Sequence, residues 1–276
     1  MITDLHLHTT FSDGSYTPSQ AVDMAVESGL DGIAITDHDS LEGIEAAVKR
    51  GKLYNDFYII PGIEFGCVYL DEEVHLLGYF FDYYSENMLS LTKGLKDARV
   101  TRGEKIIKKL NNLGIKITID DVIKHARKDY IGRPHIGRAL IDKGYVNSMD
   151  EAFGKYLNRG KPAYVERYKL RIEEVVELIH SENGLVSLAH PGLLDQKEII
   201  NHCIKSGIDG IEVIHPKHSN KNVLDFIKVA ERFNLIATGG SDWHGNFKDG
   251  DCLLGKYYVN LNNIPEMKRR IQNVNI

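Results

Sequence analysis

Short apolar runs recur along this 276-residue chain, and one after another they end in, or carry, a histidine or a carboxylate. DLHLH opens the series and leads to Asp13; DGIAITDHD delivers Asp37, His38 and Asp39; YIIPGIEF carries Glu64; EVHLLGYFF carries His75. GLVSLAHP then ends at His190, GIDGIEVIHP at His215, and LIATGGSDWHG at Asp242 and His244. Helical patterns separate most of these runs. Thr17-Pro18-Ser19 starts one that stops at Gly29, Ser40 is placed to cap one that ends at Gly51, and others span residues 171–183, 195–206 and 219–233. Such alternation predicts an open α/β sheet or a (β/α) barrel, whose sites lie at the carboxyl ends of the strands.

In an extended segment alternate side chains share a face, so His6 and His8 point one way while Leu5 and Leu7 point the other. Ser12 and Gly14 mark a turn that swings Asp13 over the two imidazoles. Asp242 and His244 repeat the i, i+2 spacing near the far end of the chain. A lone strand-end histidine is more often a hydrogen-bonded core residue than a ligand, and His125, His180 and His202, which fall in helical patterns, are assigned to surface or packing roles. Six or seven strand-end histidines with Asp13, Glu64 and Asp242 need another account, because ionisable groups gathered on one rim require cations to offset buried charge. The donors are nitrogen and oxygen without thiolate, which suits Mn²⁺, Fe²⁺ or Zn²⁺. They exceed one ion's needs. Two or three clustered ions bridged by Glu64 or Asp242 would activate water and clamp the oxygens of an in-line displacement at phosphorus. Asp37 and Asp39 are read as groups that orient His38 or neighbouring imidazoles, with a direct ligand role for Asp37 left open.

The β/α rhythm breaks between about Asn87 and Pro162. Helical patterns there run from Asn87 to Gly114, Asp120 to about Lys128, Gly132 to Lys143 and Ser148 toward Tyr156, followed by the polar turn Asn158-Arg159-Gly160-Lys161-Pro162. Residues 93–171 hold 20 Lys and Arg against 9 Asp and Glu, whereas the rest of the chain holds 14 against 30, for an overall charge of −5. The overall sign argues against a general nucleic-acid binder; the division places a basic insertion for an anionic substrate within an acidic scaffold that serves cations. No apolar run approaches the roughly 20 residues of a membrane span, and no basic leader precedes the first strand. Cys67, Cys203 and Cys252 are odd in number and far apart, so neither a disulfide framework nor a thiolate metal site is expected, and the reducing cytoplasm is the natural setting.

The stretches HLHTTFSDG, TDHD, GIEFG, the strand with His75, LAHPG and GGSDWHG resemble, in order, the motifs of the PHP (polymerase and histidinol phosphatase) superfamily of metal-dependent phosphoesterases. The resemblance implies an α/β fold, a distorted seven-stranded (β/α) TIM-like barrel built from residues 1–90 and 171–276, with 91–170 as a helical, basic substrate cap. It implies a trinuclear centre ligated by His6, His8, Asp13, His38, Glu64, His75, His190, Asp242 and His244, with two to three divalent ions, Mn²⁺ foremost, and no catalytic side chain beyond a metal-bound hydroxide. Thr9 stands where the family usually has Ser, outside the ligands. GRPHIGRAL and YLNRGKPAYV resemble the cap of the nucleotide-acting branch, which includes nucleoside 3′,5′-bisphosphate phosphatases and 5′ to 3′ exoribonucleases of the RNase AM type. Arg133, His135, Arg159 and Lys161 are then candidates to hold substrate phosphate. His215 and His218 are further candidates, the alternative for EVIHPKHS being a strand end followed by a helix cap.

The resulting expectation is a phosphoesterase that holds a 5′-phosphate in the insertion and hydrolyses the adjacent 3′ linkage of a nucleoside bisphosphate or short RNA or DNA. No membrane and no obligatory protein partner are implied. The rivals are a small-metabolite phosphatase of histidinol-phosphate type, a catalytically silent metal-stabilised binding module, and a carbon–nitrogen hydrolase on a similar barrel. The insertion disfavours the first, the intact ligand set the second, and the absence of a strand-ending lysine the third.

Overall fold

The computed structural model describes residues 1–126, 130–245, 247–248 and 251–274. The described chain divides into two compact units, residues 1–89 with 169–276, and residues 90–168. No helix among the described residues is long and apolar enough to cross a membrane.

The first unit is a nearly closed barrel. Its strands are β1 (Ile2–Asp4), β2 (Gly32–Ile35), β3 (Tyr58–Tyr69), β4 (Glu72–Tyr79), β5 (Leu185–Leu188), β6 (Gly210–Ile214) and β7 (Ile236–Gly239), hydrogen-bonded in that order. Two-residue strands β8 (Phe247–Lys248) and β9 (Asp251–Cys252) form a separate ribbon, and β10 (Val259–Asn260) adds antiparallel to β1. Beyond the regular strands the two ends of the sheet meet: Leu5 N–H donates to Gly239 O at 3.2 Å, and His8 N–H donates to Trp243 O at 2.8 Å. Strands β1–β3 and β5–β7 run parallel, but β4 is antiparallel to both neighbours. The two-residue turn between β3 and β4, at Leu70-Asp71, leaves no room for a crossover helix, so β4 must return antiparallel. His75 therefore lies in the first half of its strand, yet on the rim where the parallel strands end.

The helices of this unit follow the sequence signals with one exception. Helix α1 (Pro18–Glu27) has Thr17 as its N-cap, bonded reciprocally with Gln20, and Pro18 in its first turn. Helix α2 (Glu42–Gly51) begins at Leu41 with no side-chain cap, and the Ser40 hydroxyl has no hydrogen-bond partner, so Ser40 is not the cap its position suggested. Glu42 and Glu45 in the first turn and Lys49 and Arg50 in the last complement the helix dipole instead.

The second unit contains most of α3 (Glu86–Asn112), then α4 (Ile119–Ile123), α5 (Arg133–Asp142) and α6 (Met149–Ala152), which passes into a π turn over Phe153–Leu157. Helix α4 is capped by Thr118 paired with Asp121 and stops at Ile123, short of the expected Lys128, which lies outside the described residues. Ile106, Leu110, Ile117, Val122, Ile136, Leu140 and Leu157 form a core of its own. The barrel unit resumes with α7 (Ile172–Ser181), α8 (Glu198–Lys205), α9 (Asn220–Phe233), capped by Ser219, and α10 (Pro265–Val274). Met267 and Ile271 of α10 join Leu5, Ile60, Leu77 and Tyr79 in the barrel's apolar cluster.

Closure of the barrel depends on one glycine. A Cβ on Gly240 would stand 2.4 Å from His6 N and 2.6 Å from Asp4 Oδ1, backbone and buried carboxylate that have nowhere to go. Gly240→Ala is expected to cost about 1–3 kcal/mol, the usual toll of overpacking, measured as a lower thermal midpoint; an unchanged midpoint would show that the β1–β7 seam yields.

Candidate metal centre

Glu64 is the hub of the site. It sits on β3 with 1% exposure, and five imidazoles surround its carboxylate. His38 Nδ1 lies 2.7 Å and His8 Nε2 3.3 Å from Oε2; His75 Nδ1 lies 2.8 Å, His190 Nε2 3.1 Å and His6 Nε2 3.5 Å from Oε1. Asp242, just past β7, places Oδ1 3.3 Å from both His6 Nε2 and His8 Nε2. Asp13 places Oδ1 3.2 Å from His244 Nε2 and Oδ2 4.0 Å from His38 Nε2. Thus all nine expected ligand residues, drawn from beyond the ends of β1, β2, β5 and β7 and from within β3 and β4, converge on one rim.

Local backbone geometry aims them there. His6 and His8 extend β1 past its last paired residue, with Leu5 and Leu7 fully buried between them, so the imidazoles share a face at 5.2 Å between ring centroids. His190 and Asp242 adopt left-handed φ of 28° and 48°, uncommon for residues with a Cβ, which turn the chain sharply where β5 and β7 end.

Four of the imidazoles have one nitrogen directed away from the centre toward an oxygen, which leaves the other nitrogen facing inward. His6 Nδ1–H donates to Glu212 Oε1 at 3.0 Å. His8 Nδ1 faces Ser12 Oγ at a long 3.4 Å, and the Ser12 hydroxyl donates to Asp37 Oδ1 at 2.6 Å. His75 Nε2 faces Glu73 Oε1 at 3.5 Å, and His244 Nδ1–H donates to the Asp242 carbonyl at 2.9 Å. Inside the centre, His6 Nε2, His8 Nε2, His38 Nδ1, His75 Nδ1 and Glu64 Oε2 are buried and make no well-aligned hydrogen bond among the described residues, although the His38 and His75 nitrogens stand 2.7 and 2.8 Å from the Glu64 carboxylate. Buried polar atoms are normally satisfied, so five convergent bare donors fit a site built for cations. The donor atoms fall into three overlapping groups, each within 4.8 Å: His8, Asp13, His38 and His244; His6, His8 and Glu64; His38, Glu64 and His75.

Electrostatics agree with that fit. Burial alone would raise the Glu64 carboxyl, but His38, His75 and His6 overcome it and hold the group well below the usual range. Burial is likewise overcome at Asp242 by His6 and His244, and at Asp13 by His244 and His38. Burial, with His244 and His38 adding to it, pushes the His8 imidazole down to about 3, which keeps it neutral and its lone pair available.

Glu212 was not singled out from the sequence. It is fully buried on β6, accepts from His6 Nδ1 and, at 2.7 Å, from the His190 backbone N–H, and so ties two ligand-bearing strand ends to a third strand. The available signal was an acidic residue inside the apolar run GIEVI, since a buried carboxylate demands a partner. Asp37 is committed to the opening loop: it accepts Thr9 N–H at 2.7 Å, Thr9 Oγ1–H at 2.6 Å and Ser12 Oγ–H at 2.6 Å, and so supports His8 and the turn that carries Asp13. Asp39 Oδ1 accepts Gly66 N–H at 3.3 Å.

The residues expected at the substrate divide. His215 is buried, its Nδ1 accepts Lys217 N–H at 3.2 Å, and its Nε2 stands 3.4 Å from Asp242 Oδ2, so it braces a ligand carboxylate. His218 is bonded at both ring nitrogens: Nδ1–H donates to Val213 O at 2.9 Å and Nε2 accepts Gly192 N–H at 3.1 Å. In the second unit His135 is buried at 1% exposure, and its Nδ1 accepts Gly132 N–H at the start of α5. Arg133 is half-buried with its guanidinium over Phe153, while Arg159 and Lys161 are exposed on the turn before residue 163.

A family model described as the PHP domain matches residues 4–190. The 5′-3′ exoribonuclease Rnm of Salmonella typhimurium is 33% identical over 252 residues, 88% of this chain and 85% of that protein. The 3′,5′-nucleoside bisphosphate phosphatase of Chromobacterium violaceum is 31% identical over 257 residues, 90% of this chain and 88% of that protein. A solved structure from Bifidobacterium adolescentis, named as an expected metal-dependent phosphoesterase, superposes with a TM-score of 0.87 at 29% identity, covering 97% of this chain and 96% of that one. The motifs, the barrel with its reversed fourth strand and these matches together place the chain in the PHP family.

Proposed function

We propose that this chain is a metal-dependent phosphoric ester hydrolase that cleaves the 3′ phosphoester of 5′-phosphorylated nucleotides, as a nucleoside 3′,5′-bisphosphate phosphatase, a 5′ to 3′ exonuclease on short strands, or both. The observation that carries the reading is the set of five bare, buried donor atoms in three overlapping groups. His8 is common to the first and second groups, Glu64 to the second and third, and His38 to the first and third, which supports a cluster of two to three ions. The all-nitrogen and oxygen donor set favours Mn²⁺, with Fe²⁺ or Zn²⁺ as substitutes. Three free cysteines, none of them in the centre, suit a reducing cytoplasm.

When bound, such ions supply an activated water and offset the charge that develops on the phosphoryl oxygens. The chain's residues do the rest. Glu64 and Asp242 each face imidazoles from several strands and would hold the ions together with those histidines, while Asp13 would serve the His38 and His244 side. Glu212, Asp37 through Ser12, and His215 hold these groups in orientation before any substrate arrives. The insertion's Arg133, Arg159 and Lys161 offer the forked and point-charge donors that anchor the phosphate that is not hydrolysed.

Mn²⁺-loaded protein is expected to release phosphate from adenosine 3′,5′-bisphosphate or mononucleotides from 5′-phosphorylated oligonucleotides; turnover on neither refutes the reading. Arg133→Ala is expected to erase the preference for 5′-phosphorylated over 5′-hydroxyl substrate in kcat/KM while bound metal, measured by elemental analysis, stays at the wild-type level. Glu212→Gln removes the charge that orients His6, and is expected to weaken Mn²⁺ binding about 10–100-fold in calorimetric titration, with activity recovering at excess Mn²⁺.

A further inference from the structure

We propose that the second unit carries a track for a single-stranded oligonucleotide along α3; the choice of nucleotide chemistry rests on the phosphoesterase reading above. Two adjoining clefts, about 660 Å³ and 330 Å³, run along this helix and share Lys105, Val165 and Glu166. Each has room for a molecule of nucleotide size rather than a lone anion. The larger is lined by Lys105, Lys108, Lys109 and Arg159 against one carboxylate, Glu166. The smaller adds Arg102 and Arg167 with a second carboxylate, Asp97, and ends at Tyr168, which is 60% exposed.

Some helical lysines are paired along their own helix, Lys49 with Glu45 at 2.6 Å and Lys155 with Glu151 at 2.5 Å, whereas among the described residues those of α3 that line the clefts are not. Glu104 stands one turn before Lys108, yet no ion pair joins them, and Lys105 makes none among the described residues. The opposite wall is the irregular segment 164–168, tied to α3 through its backbone: Lys109 Nζ donates to Tyr164 O at 2.6 Å and Arg102 Nε donates to Val165 O at 2.8 Å. Those bonds fix the wall against the helix. The Tyr164 ring lies under the Arg102 guanidinium at 6.0 Å, and Tyr168 offers an open ring face. A line of cations beside tyrosine rings matches a phosphodiester backbone whose unpaired bases stack. A duplex hides the faces of its bases, and an acidic peptide makes no use of the rings.

The test measures binding of a short 5′-phosphorylated RNA by fluorescence anisotropy in EDTA, where hydrolysis does not intervene. Lys105→Glu with Lys108→Glu in the full chain is expected to weaken RNA binding by about tenfold or more and to flatten the log–log salt dependence by about 1.4, two phosphate contacts' share. Tyr168→Ala is expected to weaken it with the salt slope unchanged. Turnover of adenosine 3′,5′-bisphosphate and the far-ultraviolet circular dichroism should match wild type. Unaltered RNA affinity and slope would overturn the track while leaving the phosphoesterase reading intact. So would displacement of RNA by polyglutamate of equal charge, or loss of bisphosphate turnover in the lysine variant, since the lysines would then be a generic anion patch or part of the reacting site. RNA binding that falls as expected in a chain with no turnover would refute the phosphoesterase reading instead.

Discussion

A buried carboxylate among imidazoles is the interaction on which this molecule depends. Glu64 cannot be removed from water at 1% exposure without opposite charge nearby, and the histidines that supply it come from β1, β2, β4 and β5 or the turns beyond them. Those side chains crowd together with bare nitrogens facing one another, a costly arrangement for a protein held together only by its own bonds. The barrel supplies the rigidity that holds them. Its seam is closed by Leu5, His8, Gly239 and Trp243, so the strands that bring the first and last ligands are hydrogen-bonded neighbours.

The reversed strand β4 explains how one rim gathers so many donors. In a fully parallel barrel a ligand within a strand would have to lie at its carboxyl end. Because β3 and β4 form a hairpin, Glu64 leaves the parallel part of the sheet on the way out and His75 enters on the way back, with His75 opposite Gly66 in the register. The small residue opposite His75 lies beside the place where the ring folds down toward Glu64, at 2.8 Å.

Charge is divided between the units in the same sense as the chemistry. Carboxylates and imidazoles concentrate in the barrel, where cations would answer them; lysines and arginines concentrate in residues 93–171, where phosphates would. Both units have cores of their own, so the basic surface of the insertion is carried by a scaffold with its own apolar packing. That separation allows the reacting chemistry and the selection of substrate to vary independently.

The sequence by itself determined the alternating elements, the candidate ligand positions and the basic stretch between them, because each is written locally. Thr17-Pro18 and Ser219 cap helices through bonds to their own chain, and the i, i+2 spacings of His6 with His8 and Asp242 with His244 set a shared face by backbone geometry alone. The tertiary structure decided what depended on partners distant in sequence. Glu212 looks like any charge in a strand until it meets His6, 206 residues away. The backbone N–H groups of Gly192 and Gly132 that donate to His218 and His135 are likewise invisible in the motifs that contain the two imidazoles. The open lysines of α3 became a track only when residues 164–168 folded back to form its other wall. Hydrogen-bond partners between segments far apart in sequence are settled only by folding, and it is those partners that separate a ligand from its support and a binding residue from a strut.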